Sequence, residues 1–207
     1  TYNAIVSLVD NNILIDQAKN ADLELEKGIY RGWMHGMPHA VKDLAYAKDL
    51  YTSEGSPILA GSMSTKDDLF VSRIRNAGAI FIGKTNTPEF GLGSQTYNEV
   101  FGATRNAYDP SKTAGGSSGG AAVGLATQML PVADGSDMMG SLRNPAAFNN
   151  VIGFRPSQGR VPVYYAYYPN TDTFYQQLST EGAMGRNVED TMRLLSTIAG
   201  PDDRVPL

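Results

Sequence analysis

The sequence predicts an α/β protein in which strands alternate with helices in packed layers. Two pairs of neighbouring segments carry this prediction. Apolar residues recur at helical spacing over residues 66–77, and the apolar, β-rich run 79–83 follows. A helix of small residues is then expected over 117–129, and a strand over 130–133. Such alternation favours a sheet that is covered by helices.

Three further segments complete the predicted order of elements. A helix is expected over 13–26, where apolar residues recur with a loose helical period. A short buried strand over 38–41 leads into Lys42. The last helix is expected over 188–199, with Asn187 as its N-cap residue.

The composition excludes several kinds of chemistry. The chain has 207 residues and no Cys, which rules out disulfides, Cys-ligated metals and a Cys nucleophile. Its only histidines are His35 and His39, so a His-rich metal cluster is excluded. The length is compatible with one large domain or two small ones. We expect a single domain over 1–207, with no metal and no cofactor.

Charge and hydropathy limit the kinds of partner and the location that are expected for this chain. The net charge of −4 argues against nucleic acid as a partner. No apolar run approaches the length of a membrane span. No signal peptide is visible, so a cytoplasmic location is expected, although the chain begins with Thr1 rather than Met.

Two segments rich in Gly and Ser carry the densest chemical signal. Residues 115–120 contain four glycines and two serines. They could form a phosphate cradle, a flexible linker, or a tight loop that turns a serine hydroxyl into a site, although no P-loop spacing follows. The second segment, 134–145, places Ser141 directly after Gly140, where consecutive backbone N–H groups could form an oxyanion hole.

A serine nucleophile needs a base, and Lys42 is the most interesting candidate. His35 and His39 flank Pro38 without a paired acid motif, so neither is favoured. A lysine at the end of a buried strand is ordinarily salt-bridged or extends to solvent. A buried lysine whose pKa is lowered can instead serve as a general base.

The tyrosine-rich stretch 164–168 admits two interpretations. It could be a strand or loop that packs its aromatic faces against the protein. It could also form the wall of a pocket or an interface patch.

Six segments, in order along nearly the whole chain, resemble the amidase signature family. They are residues 36–43, 83–90, 115–120, 135–146, 151–161 and 189–201. The resemblance implies the amidase-signature fold, with a mixed β-sheet core flanked by helices on both faces. It also implies hydrolysis of a small-molecule amide by a Ser–cis-Ser–Lys triad. Family members are usually more than twice as long, so this chain is expected to be an N-terminal part.

Carried over by residue, the resemblance makes Ser141 the nucleophile and Lys42 the base. Ser117, which lies 24 residues before the nucleophile, would be the bridging serine on a cis peptide bond. The other expected site residues fall into three groups. They are the backbone N–H groups of Met138, Met139 and Gly140 for the oxyanion hole, Ser118 and Arg143 in support, and Gly91 and Leu92 in the substrate pocket.

The sequence also departs from the family pattern. The pair Met138-Met139 replaces the common Thr-Gly and resembles the branch that contains 6-aminohexanoate cyclic-dimer hydrolase. These side chains would pack beneath the loop or shape the acyl pocket. The alternatives to a hydrolase are a non-catalytic fragment and a partner-dependent subunit of the amidotransferase type, and a phosphate-binding module is a third. A homodimer is a further expectation.

Overall fold

The computed structural model describes residues 2–167 and 178–205, and strands alternate with helices through most of them. The strands are β1 (Ile5–Val6), β2 (Pro38–Lys42), β3 (Ile80–Thr85), β4 (Val132–Asp137), β5 (Ile152–Phe154) and β6 (Thr180–Gly185). The helices are α1 (Asn11–Glu26), α2 (Leu69–Asn76), α3 (Gly119–Ala126), α4 (Arg143–Phe148) and α5 (Val188–Ile198). A short 3-10 turn covers Glu89–Gly91.

The described strands form two three-stranded sheets. The first has the order β1-β3-β2, in which β1 is antiparallel and β2 is parallel to the central strand. The second has the order β4-β6-β5 and is antiparallel throughout. Of the two described sheets, only the first therefore has the mixture of parallel and antiparallel strands that was predicted for the core.

Helices cover both faces of these strands. Alternate residues of a strand point to opposite faces. Val41, Val132 and Ala183 pack in one core with side chains of α2 and α5. Their neighbours along each strand, including Ala40 and Ala133, pack in a second core with α3. The predicted layer arrangement is confirmed, and the two sheets share the same two cores.

A buried carboxylate joins the two sheets. Asp134 on β4 accepts a hydrogen bond from the backbone N–H of Lys42 at 3.0 Å. Its other oxygen lies 2.9 Å from His39 Nε2. Because a carboxylate only accepts, the histidine donates through this nitrogen. His39 is completely buried, as expected for a packed residue rather than a catalytic base.

Most predicted elements lie within a few residues of the observed ones, and β1, α4, β5 and β6 were not predicted. The strand expected over 130–133 begins at Val132 and continues to Asp137, so the second Gly/Ser segment starts inside a strand. In β6, glycine replaces the β-branched residues that normally signal a strand. A Cβ at Gly182 would lie 2.4 Å from the Phe154 carbonyl oxygen, so close strand pairing requires glycine there.

Candidate active site

Lys42 is the last residue of β2, and its side chain is buried. Its Nζ donates hydrogen bonds to three serine hydroxyls. The distances are 2.7 Å to Ser117 Oγ and 2.9 Å each to Ser118 Oγ and Ser136 Oγ. The structure thus brings the predicted base and bridging serine together with the predicted supporting serine.

The number of protons at this cluster restricts how it can react. An ammonium has three N–H donors, which the three hydroxyls satisfy. A neutral amine has two N–H groups and a lone pair, so one hydroxyl must then donate to Nζ. Ser118 Oγ already donates to the Ser136 carbonyl at 3.3 Å. Ser117, which is nearest to Nζ, is therefore better placed to donate its proton to Lys42.

Burial adapts Lys42 to this role. Desolvation lowers the pKa of Lys42 to about 8, from an ordinary value of 10.5. The negative charges of Glu181, Asp134 and Asp137 act in the opposite direction and limit the shift. A lysine in this range is partly neutral near pH 8, as a general base must be.

The loop before α3 presents both serines to the lysine. The peptide bond between Gly116 and Ser117 is cis. The N–H of Gly119 donates to Thr96 Oγ1 at 3.1 Å and anchors the start of the helix. The N–H of Ser118 donates to the carbonyl of Ser141 at 3.2 Å, which ties this loop to the predicted nucleophile loop.

Ser141 lies on the loop between β4 and α4 and is partly exposed. It lines the same cavity as Lys42 and Ser117. Within the described residues, Ser141 Oγ takes part in no hydrogen bond. The hydroxyl therefore faces the cavity without a protein partner from this part of the chain.

Asp137 holds this loop in shape. Its carboxylate accepts from the backbone N–H groups of Gly140 at 2.7 Å and Leu142 at 3.1 Å. Arg143 donates to both carboxylate oxygens, and Arg155 donates to one of them. Burial raises the pKa of Asp137, but the hydrogen bonds from Arg143 and the two N–H groups outweigh it and hold the pKa well below its ordinary value.

Gly140, one of the predicted oxyanion donors, already has an acceptor. Its N–H donates to Asp137 Oδ1, and its part in an oxyanion hole stays a prediction. The N–H groups of Met138, Met139 and Ser141 have no acceptor within the described residues. Arg143, the predicted supporting residue, contacts Asp137, and its own side chain is about half exposed.

The two methionines do not pack beneath the loop. Met139 is 85% exposed, and Met138 is 48% exposed. Met138 lines the cavity, so it is the one placed to shape an acyl pocket. Nothing in the structure explains Met139.

The cavity beside Ser141 has a volume of about 560 Å³. Gly91 and Leu92, the expected pocket residues, line it. So does Tyr165 of the tyrosine-rich stretch, which agrees with the interpretation as a pocket wall, whereas Tyr168 lies outside the described residues. Apolar side chains cover much of the remaining wall. They include Leu44, Ala45, Phe90, Met138 and Leu178.

Four polar residues of the site were not assigned roles from the sequence. Ser136, Asp134 and Asp137 belong to β4, and Glu181 lies opposite Ser136 on β6. The spacing of Asp134 and Ser136 could have indicated that both belong to the site, because residues two apart in a strand lie on the same face. No sequence signal marked Glu181, because its strand was not recognised.

Within residues 2–167 and 178–205, no group of three or more His, Asp or Glu is arranged to bind a metal ion. None of the described helices combines the length and apolar character needed to cross a membrane.

Comparison with known proteins decides the family. A family model described as Amidase matches residues 1–206. The chain belongs to the amidase family. This amidase chain is 40% identical over 202 residues to a relative from Coxiella burnetii, which is named as one of the subunits of a glutamyl-tRNA(Gln) amidotransferase. The match covers 98% of the chain and 40% of that relative, so the chain spans about two fifths of its relative's length.

Solved structures give the same result for the fold. The amidase chain superposes on the peptide amidase of Stenotrophomonas maltophilia with a TM-score of 0.85 and 33% identity. It superposes on 6-aminohexanoate cyclic dimer hydrolase, complexed with substrate, with a TM-score of 0.84 and 30% identity. These matches cover 99% and 98% of the chain, and 42% and 40% of the solved chains. The predicted family and its fold are confirmed, and the chain spans about two fifths of the length of these proteins.

Proposed function

We propose that this chain carries the catalytic residues of a serine amidohydrolase that cleaves a small-molecule amide through an acyl-enzyme. The observation that carries the proposal is the 2.7 Å contact between Lys42 Nζ and Ser117 Oγ, in a cavity that Ser141 also lines. A lysine with a lowered pKa, a bridging hydroxyl and a serine that faces the cavity are the parts of a proton relay.

The relay runs from the lysine outward. Neutral Lys42 accepts the proton of Ser117 Oγ, which takes the proton of Ser141 Oγ once substrate brings the two hydroxyls together. Ser141 Oγ bonds to the amide carbon, and the carbon–nitrogen bond breaks. The leaving amine takes up the proton that Lys42 stored. Water then attacks the ester, passes its proton along the same route, and releases the acid and Ser141.

The oxyanion would be bound by backbone donors. The N–H groups of Met138, Met139 and Ser141 have no acceptor within the described residues. They belong to the segment that leads up to and includes the proposed nucleophile. The Asp137 carboxylate fixes the loop by accepting hydrogen bonds from the backbone N–H groups of Gly140 and Leu142. Donors held in place in this way stabilise developing charge without rearranging.

A second candidate is a partner-dependent subunit of the amidotransferase type. The curated relatives of 39–41% identity are named as subunits of a glutamyl-tRNA(Gln) amidotransferase. The proposed relay would serve either reaction, since both begin by breaking an amide bond. The two candidates differ in whether the protein releases ammonia from a simple amide without a second polypeptide.

The test uses the full-length protein that contains this chain. A fluorophosphonate probe should label Ser141 in the wild type, and Ser141→Ala should abolish both labelling and amide turnover without changing the fold. Ser196→Ala, an exposed serine on α5, serves as the matched control and should behave as the wild type. Absence of labelling at Ser141 would overturn the proposal. Turnover only in the presence of a partner would favour the amidotransferase candidate.

A further inference from the structure

Glu181 is a buried acid in the cavity that the proposed mechanism does not use. It lines the cavity and is only 7% exposed. In the strand pairing it lies directly opposite Ser136, whose hydroxyl contacts Lys42 Nζ. Side chains of directly paired residues lie on the same face of a sheet. Glu181 therefore faces the side of the site on which the lysine lies.

The carboxyl of Glu181 lacks a hydrogen-bond donor from the described part of the chain. No N–H or O–H group of those residues donates to it. Burying a carboxylate without donors is costly. Accordingly, burial raises the pKa of Glu181, and the nearby charge of Lys42 only partly offsets this effect.

A second carboxyl lines the same cavity. Glu54 accepts a hydrogen bond from Tyr46 at 2.6 Å and is partly buried. Among the described residues that line the cavity, Lys42 is the only one with a basic side chain. When Lys42 is neutral, as catalysis requires, this described wall holds two acidic groups and no basic side chain. The charge of the buried Lys84, which does not line the cavity, reaches Glu54 and favours its ionised form.

We propose that Glu181 and Glu54 form a subsite for a protonated amine, so that the preferred substrates are amides that carry an ammonium group. This inference rests on the proposed function. An ammonium donates up to three hydrogen bonds and brings a positive charge to the two acids. It would supply Glu181 with the donor that the described residues do not provide.

The bound cation would also act on the base. An ammonium in the cavity would repel a proton on Lys42 and stabilise the ionised form of Glu181. Ionised Glu181 by itself favours a proton on Lys42, and the positive charge of the bound ammonium would oppose that effect. A neutral amide of the same size would gain neither effect.

The experiment compares matched amides on the full-length protein. Each amino amide, from glycinamide to 6-aminohexanamide, is paired with the alkanamide in which a methyl group replaces the ammonium group. The best amino amide should exceed its neutral partner in kcat/KM by about tenfold or more, the size of a hydrogen bond to a charged group. Glu181→Gln should lower this ratio several-fold, because only Glu54 would then carry the charge. Glu26→Gln, an exposed glutamate on α1, should leave it unchanged.

A binding measurement separates this inference from the proposed function. Calorimetric titration of the amino and neutral amides into Ser141→Ala needs no turnover. Preferential binding of the amino amide that is reduced in Ser141→Ala/Glu181→Gln would support the subsite even if no amide is hydrolysed. If the Glu181 variant does not fold, Glu54→Gln should lower the same preference. Equal binding of the two amides, or a preference that both variants retain, would overturn the subsite.

Discussion

His39 and Asp134 are joined by a fully buried contact of 2.9 Å between Nε2 and Oδ1, one residue on each sheet. The second oxygen of Asp134 holds the backbone N–H of Lys42. One carboxylate thus fixes both the packing of the two sheets and the strand end from which the proposed catalytic lysine projects.

Replacing Asp134 with asparagine should destabilise the protein. Asparagine offers one acceptor oxygen where two donors must be met. Either its amide N–H faces the N–H of His39, or the histidine moves its proton to Nδ1, which is buried and has no acceptor among the described residues. We expect the free energy of unfolding to fall by about 3 kcal/mol, as when a buried polar pair is broken. Denaturant titration measures this, with Asp22→Asn on exposed α1 as the control. A loss no greater than that of the control would contradict the bridging role.

The activity of the full-length protein should rise with pH through the pKa of Lys42. In the proposed mechanism Lys42 acts as a base, and burial lowers its pKa to about 8, so the reactive neutral form is lost as the pH falls below that value. We expect kcat/KM to drop about tenfold per pH unit well below pH 8 and to level off above it. Initial rates across this range test the assignment. A flat profile between about pH 6 and 9 would argue against a titrating lysine.

Asp137→Asn should impair catalysis more than folding. The variant weakens the contacts to Gly140, Leu142 and Arg143 that shape the nucleophile loop. We expect kcat to fall about 100-fold, similar to the loss of an oxyanion donor, while KM changes little. Steady-state kinetics would show this, and circular dichroism would confirm that the variant is folded. A selective increase in KM would indicate a role in binding instead.

The same carboxylate should contribute to stability in a defined pH range. Its pKa in the folded protein lies below the unfolded value of about 3.9, so the unfolded chain takes up the proton first as the pH falls. Its stabilisation is complete above that unfolded value and is lost as the pH falls toward the folded pKa. The wild type should therefore lose stability below about pH 4 more steeply than Asp137→Asn. Parallel acid-unfolding curves would contradict this prediction.

Two glycines of α3 should respond differently to alanine. A Cβ at Gly120 would lie 2.3 Å from the backbone nitrogen of Asn86 and 2.6 Å from the carbonyl oxygen of Ala4. Backbone on both sides cannot move aside, so we expect Gly120→Ala to cost about 3 kcal/mol or more. A Cβ at Gly124 would meet only the end of the Leu130 side chain, at 3.1 Å. Gly124→Ala should change the free energy of unfolding by less than about 1 kcal/mol. Thermal unfolding of both variants gives the comparison.

Periodicity predicted the elements whose side chains pack in a regular pattern. The helices α2 and α5 and the strand β3 lie close to their expected bounds. The strand β6 was missed because its backbone packs so tightly that Gly182 is required, and glycine carries no strand signal.

Some residues of the candidate site could be predicted from the sequence, and others could not. The family resemblance pointed to Lys42, Ser117 and Ser141, and the structure places all three at one cavity. The contact between Gly140 and Asp137 could not be foreseen, because it depends on which way the Asp137 carboxylate turns. The position of Glu181 in the site results from the pairing of β6 with β4, which the sequence of either strand alone does not specify.

The division of the strands into two sheets has a consequence for how the protein would lose activity on heating or in denaturant. The proposed base ends a strand of one sheet, the loop with the proposed nucleophile Ser141 follows a strand of the other, and buried side chains such as His39 and Asp134 join the two sheets. A slight separation between the sheets would disrupt the proposed proton relay before the strand pairs and helices themselves are lost. Inactivation by heat or denaturant should then precede the loss of helical signal, so enzymatic activity would report on sheet docking rather than on global unfolding.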